Sequence, residues 1–214
     1  YTIRLSASNG EGSFEDTFTI TVSEPTLPPT SIILNGNSLV DGTVGGSLVG
    51  SFSSDGSDPL TYSLVTGTGD TDNARFSIVG DELFIGEDVD FSIQESYSIR
   101  VEASNSEGST SDTFIISVTA LAPTILSLSS TEISDGTTSG TPIATIDSDG
   151  SVPTYAFATG IGDDDNASFS IQNGDELVVN ELVNYAVKDT YTIRLSASNG
   201  EGSFEEEFQL SVLS

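Results

Sequence analysis

Apolar and polar residues alternate along most of this chain, and the alternation sorts it into strands. In residues 97–104 (YSIRVEAS), Tyr97, Ile99, Val101 and Ala103 fall on one phase, and Ser98, Arg100, Glu102 and Ser104 on the other. In residues 113–118, Phe114, Ile116 and Val118 share a phase. A period of two marks a strand, and this form of it marks an antiparallel sheet with one buried and one wet face. Between the two segments lies a Ser/Asn/Gly/Glu stretch with the composition of a hairpin turn. No segment combines helical period with caps.

The same blocks return along the chain. Residues 1–22, 97–118 and 191–212 are versions of one segment, spaced by 96 and 94 residues. The first and third agree at 17 of 22 positions, the first and second at 14, and the second and third at 12. TGTGDTDNARFSI (66–78) likewise matches TGIGDDDNASFSI (159–171), and GDEL follows each. Two full repeats are therefore expected, 25–119 and 120–214, preceded in 1–24 by the last two strands of an earlier one. The closer likeness of the outer tails fits a unit of two repeats, about 190 residues long, or chance divergence among equal repeats. On either reading the chain is a window cut from a longer array.

About seven strands are predicted in each full repeat. They fall near 31–34, 46–52, 60–65, 75–79, 82–85, 97–104 and 111–119, and near 125–129, 141–147, 153–158, 167–172, 175–179, 190–197 and 206–213. Short strands at this spacing in roughly 95 residues predict an all-β fold of tandem Greek-key sandwiches of immunoglobulin type. The Tyr opening the sixth strand is either a tyrosine-corner residue or an ordinary core aromatic. Prolines mark the joints, at 24–30 (EPTLPPT) and 120–124 (ALAPT). Because proline stiffens a linker, the repeats are expected to form a rod.

Composition narrows the function. The chain carries 33 acidic and 5 basic residues, a formal net charge of −28, and no His, Cys, Met or Trp. Disulfides, thiolate metal sites, His-ligated zinc and His-based triads are excluded. Nucleic acid is a poor partner for so acidic a surface. No apolar run approaches the roughly 20 residues that cross a bilayer, and no signal peptide is visible. The regular apolar spacing speaks against disorder. Two readings of the charge stay open, adaptation to salt and binding of divalent cations.

Two Gly-rich loops concentrate side-chain oxygens: Asp70, Asp72 and Asn73 in one, Asp163, Asp164, Asp165 and Asn166 in the other. They are read first as Asx turns capping their own backbone, with Asp70, Asp72, Asp163 and Asp165 as lesser calcium candidates. Arg4, Arg100 and Arg194 occupy one equivalent position in the three tails. There they are expected to form cross-strand ion pairs on the wet face. Paired carboxylates alone serve glycosidases, but a catalytic site seldom recurs every 95 or so residues, and no enzyme is expected.

The blocks TYSLVTGTGDTDNARFSI, DELFIGEDVDF, YSIRVEASNSEG and TFIISV resemble bacterial cadherin-like repeats, the tandem domains of large secreted adhesins and surface proteins. The resemblance covers nearly the whole of both full repeats. It implies an extracellular or cell-surface location, and calcium held at the junctions between domains. Ligands there are an early Glu, an Asp-x-Asp pair after the second strand, an Asp-x-Glu pair before the sixth, and an acidic linker. Asp41 and Asp135 stand in for the early Glu, and Asp147 and Asp149 match the Asp-x-Asp pair, for which Ser53 and Asp55 stand in the first repeat. Asp90 is kept while Ser92 replaces the Glu, and Asn184 and Ala186 replace both in the second repeat. The tails carry Ala-Ser-Asn where calcium-dependent repeats usually have Asp. The resemblance thus yields Asp41, Asp90, Asp147 and Asp149 as a candidate junction calcium set, a weak site or none.

The function expected from these readings is a structural spacer or stalk in an extracellular adhesin or surface fibre. Its partners would be neighbouring repeats and, in one alternative, other copies of itself, with neither nucleic acid nor membrane insertion. That alternative is a head-to-tail filament subunit completed by strand exchange, since the orphan 1–24 segment lacks a sheet. A carbohydrate- or partner-binding module is the other.

Overall fold

A computed structural model describes residues 1–214, and it is all-β. The chain opens with a hairpin of β1 (Thr2–Asn9) and β2 (Gly12–Thr19), paired from Thr2↔Thr19 to Asn9↔Gly12. Two sandwiches follow. The first comprises β3 (Ile32–Asn35), β4 (Ser38–Val40), β5 (Leu48–Ser54), β6 (Thr61–Leu64), β7 (Phe76–Val79), β8 (Glu82–Ile85), β9 (Ser96–Asn105) and β10 (Gly108–Thr119). The second comprises β11 (Leu126–Leu128), β12 (Glu132–Ser134), β13 (Pro142–Ser148), β14 (Thr154–Phe157), β15 (Phe169–Gln172), β16 (Glu176–Val179), β17 (Thr190–Asn199) and β18 (Gly202–Leu213).

Each sandwich packs a sheet ordered β3-β5-β8-β7 against one ordered β4-β10-β9-β6, or their equivalents β11-β13-β16-β15 and β12-β18-β17-β14. The strand count is eight per repeat rather than seven, because the first strand splits between the sheets. After β3 pairs antiparallel with β5, the chain crosses over, and β4 runs parallel to β10 with Leu39 opposite Val118. Gly36 makes the crossing at φ +93°, and a Cβ there would lie 2.7 Å from the Val49 carbonyl oxygen. No local pattern announces β4 and β12. Three-residue strands have no period to read, and both exist through their pairing with a long neighbour.

The alternating residues do build the cores. Leu83 and Ile85 on one sheet meet Ile99, Val101 and Ile116 on the other, all fully buried, and Leu177, Ile193, Leu195 and Leu210 do the same in the second sandwich. Each such side chain contributes roughly 1.5–3 kcal/mol of hydrophobic stabilisation. Tyr97 and Tyr191 are core aromatics, their rings edge-on to Phe76 and Phe169 at centroid distances of 5.5 and 5.3 Å.

Candidate functional site

The junction between the two sandwiches is built around one loop sequence, Ser148-Asp149-Gly150-Ser151-Val152-Pro153. Ser151 is 6% exposed and uses both capacities of its hydroxyl. Its Oγ accepts from the Leu121 N–H of the linker at 2.7 Å and donates to Asp41 Oδ2 of the preceding repeat. Asp41 follows β4, and its other oxygen accepts from the Phe91 N–H at 3.0 Å. These hydrogen bonds, the Ser151 hydroxyl first, hold the Asp41 carboxyl below the ordinary value of 3.8.

The linker is also clamped from its other side. Asn199 ends β17 and donates through Nδ2 to the carbonyls of Leu121 at 2.6 Å and Ser151 at 2.9 Å. Its Oδ1 accepts the N–H groups of Glu201 and Gly202. An amide serves here because the position must donate and accept at once, which a carboxylate does not do. Asp149 Oδ1 accepts from Thr124 N–H at 2.7 Å and Ile125 N–H at 3.0 Å, and its Oδ2 accepts from Thr124 Oγ1. The Thr124 hydroxyl is the largest cause of a lowered Asp149 pKa. Gly150 is required because Pro123 lies against it, with its nitrogen 2.8 Å from where a Cβ would be.

The near end of the first repeat carries the same arrangement. Leu27 N–H donates to Ser57 Oγ at 3.0 Å, Asn105 Nδ2 donates to the Leu27 and Ser57 carbonyls, and Asp55 accepts from the Thr30 and Ser31 N–H groups. Only the bond to an Asp of the preceding repeat is missing from that set. At the far end of the second repeat, Asp135 Oδ1 accepts from Tyr185 N–H at 2.9 Å, as Asp41 does from Phe91. Ser57 and Ser151 are not among the sequence candidates, and Asn105 and Asn199 stand in the sequence only as replacing the Asp of calcium-dependent repeats. Their recurrence in S-D-G-S-x-P and A-S-N was visible, but nothing local told which backbone groups they reach.

The four candidate calcium ligands are not brought together. Asp41 and Asp149 have their oxygens engaged as described. Asp90 Oδ1 accepts the Ser92 N–H at 2.8 Å and so caps its own turn, as Asn184 Oδ1 caps Ala186 N–H at 3.0 Å. That shared task explains the Asp-to-Asn exchange between repeats, since either side chain supplies the acceptor. Asp147 lies exposed on β13, opposite Ser127. Calcium takes six to eight oxygens, several from carboxylates, and no three acidic side chains are gathered to hold a metal. The donor set does not fit the ion.

The two Gly-rich loops hold 3-10 turns, Asn73–Arg75 and Asn166–Ser168. Their first acids close the loop on itself, and the later ones brace it to the neighbouring long strand. Asp70 and Asp163 accept the N–H groups of Gly67 and Gly160, both at 3.0 Å. Asp72 is buried and accepts from Ser98 N–H at 2.7 Å and Gln94 Nε2 at 3.0 Å, while Asp165 accepts from Thr192 N–H at 2.8 Å and pairs with Lys188. Asn73 and Asn166 accept from the N–H groups of Arg100 and Arg194, each at 2.9 Å. Arg4 and Arg194 form the expected cross-strand pairs, with Glu15 and Glu205. In the middle tail Ser111 replaces the acid, and Arg100 donates to its hydroxyl instead.

No family model and no curated protein sequence matches the chain. Solved structures similar to it are cadherin extracellular domains. Human protocadherin-24 EC1-2 is 15% identical with a TM-score of 0.41, covering 89% of this chain and 99% of its own. The protocadherin gammaB7 EC3-6 cis-dimer structure is 20% identical at 0.41, covering 85% and 46%, and protocadherin gamma B7 cadherin domains 1-4 are 16% identical at 0.42, covering 100% and 64%. The chain thus spans less than two thirds of the latter two. No helix is long and apolar enough to cross a membrane.

Proposed function

We propose that this chain is a non-enzymatic spacer, a stiff stretch of an extracellular adhesin or surface fibre whose repeats are joined by hydrogen bonds rather than by calcium. The observation that carries the reading is the buried Ser151 hydroxyl, bonded at once to its own linker and to Asp41 of the preceding repeat. A bond that crosses the junction, beside a linker fixed by Asn199 and Asp149, restricts bending without a metal. The carboxylates elsewhere on strand faces and turns suit a protein that must stay hydrated and apart from its neighbours in salt.

Small-angle scattering with calcium and with chelator tests both halves of the reading. An extended particle of unchanged dimensions in the two conditions is expected. A compact or freely hinged pair overturns the spacer, and an extended pair that loosens on chelation overturns the metal-free joint. Thermal melting adds a scale, because calcium at 100 times the Kd of a real site would add about 2.7 kcal/mol.

A further inference from the structure

Four Asn-Gly pairs stand in the chain, at 9, 35, 173 and 199, and Asn199 is the one whose amide ties distant segments together. Its Nδ2 donates to the Leu121 carbonyl at 2.6 Å and the Ser151 carbonyl at 2.9 Å, and Ser151 N–H donates to that same Leu121 carbonyl at 3.0 Å. Its Oδ1 accepts from the N–H groups of Glu201 and Gly202, so the side chain folds over the backbone of residue 200. Gly200 is exposed, and its own N–H donates to no protein group. The turn does not demand glycine there. Gly200 is not left-handed, a Cβ on it would meet nothing within 4 Å, and Ser106 takes the same place beside Asn105, which makes the same four bonds. What glycine supplies at 200 is an unshielded nitrogen next to a side-chain amide.

We propose that Asn199 is a self-modification site controlled by the joint. In the closed joint two carbonyls hold Nδ2, and Cγ is not free to turn toward the Gly200 nitrogen. When the linker lets go, that nitrogen loses its proton to solvent and bonds to Asn199 Cγ. The Cγ–Nδ2 bond breaks, and Nδ2 leaves as ammonia with a proton from water. Water then opens the five-membered imide on one side or the other, giving aspartate or an isoaspartate whose backbone is one methylene longer. Neither product has a donor for the Leu121 and Ser151 carbonyls, and each turns a negative charge toward them. An opening of the joint is thereby made permanent. Such control rests on the hydrogen-bonded joint of the proposed function.

The test incubates the whole chain in warm, mildly alkaline buffer and follows each asparagine by peptide mapping and mass spectrometry. Residues 1–15 and 191–205 are identical, and Asn9 makes the same Oδ1 bonds with no carbonyl on its Nδ2, so Asn9 reports the uncontrolled rate within the same molecule. Asn199 should convert about 10- to 100-fold more slowly than Asn9, the population cost of breaking two neutral hydrogen bonds. Ser151→Ala removes the Leu121 N–H bond that steadies the linker and should speed Asn199 about fivefold without changing Asn9. Urea below the unfolding midpoint makes the same comparison without a substitution. Converted chain should exchange the Leu121 and Ser151 amides faster than unconverted chain, while a Gly200→Ser chain aged alongside keeps their protection. Equal rates at Asn9 and Asn199 overturn the control and count against the joint itself. An Asn199 that stays intact once Ser151→Ala or urea has loosened the linker overturns the site and leaves the joint standing, whether or not Asn9 converts. Unchanged exchange at Leu121 and Ser151 in the converted chain overturns the permanent release.

Discussion

Replacing Ser151 by Ala deletes two hydrogen bonds of different kinds. The one from Leu121 N–H joins neutral partners and is worth about 1 kcal/mol, whereas a bond to a charged acceptor such as Asp41 is worth about 1.5–3. Asp41 is partly exposed, so solvent screening places its bond near the lower end. Ser151→Ala should therefore cost about 2–3 kcal/mol. Ser57→Ala is the internal control, since Ser57 makes the equivalent linker bond but has no Asp partner across a junction. It should cost about 1 kcal/mol. The difference, about 1–2 kcal/mol, is the worth of the bond between repeats. A double-mutant cycle with Asp41→Ala and Ser151→Ala, followed by urea unfolding, measures it directly as a coupling energy. Additivity within about 0.5 kcal/mol, or equal costs for the two serine substitutions, would refute the claim that Ser151 joins the repeats.

Three further outcomes follow from the same geometry. Asn199→Asp keeps the acceptor for Glu201 and Gly202 but turns a charge toward the Leu121 and Ser151 carbonyls; it should lower stability by about 1–3 kcal/mol, and rescue by calcium in a melting assay would count against a metal-free joint. Leu195→Ala, in a fully buried position, should cost about 2–5 kcal/mol, whereas Leu5→Ala at the equivalent exposed position should stay within about 0.5; equal losses in urea unfolding would contradict the difference in burial. The Asp41 carboxyl is held below 3.8 in the folded chain, so its contribution is complete above the unfolded value and is lost as pH falls through the folded one. The stability advantage of the wild type over Asp41→Asn should accordingly be flat from neutral pH down to about 5 and vanish in stronger acid, and a constant difference across a pH series of urea melts would rule this out.

Much of the architecture was legible because it follows from period and repetition. Residues 97–104 and 190–197 alternate in phase, and their apolar members are the ones the cores bury. Of the Asp/Asn clusters, Asp70 and Asp163 cap nearby backbone as Asx turns do, while Asp72, Asn73, Asp165 and Asn166 reach strand residues 26 to 28 positions further along. The ion pairs of Arg4 and Arg194 were also local, each partner lying 11 residues away across one hairpin turn. The short strands β4 and β12 were not legible, nor were the bonds made by Ser57, Ser151, Asn105 and Asn199. Asn199 lies 78 residues from Leu121, and Asp41 lies 110 from Ser151.

The distinction is between interactions whose partners share a neighbourhood in the chain and those whose partners do not. Alternation, hairpin turns and repeat length belong to the first kind, and residue order alone was enough to read the all-β fold. The joint between repeats belongs to the second. Asp41, Asp90, Asp147 and Asp149 are the right chemical type for calcium, and order along the chain cannot say whether four carboxylates point at one place. Folding answers by spending the oxygens of Asp41, Asp90 and Asp149 on N–H and hydroxyl donors and by leaving Asp147 exposed on β13, and a carboxylate already satisfied has little left to offer an ion that needs six or more ligands.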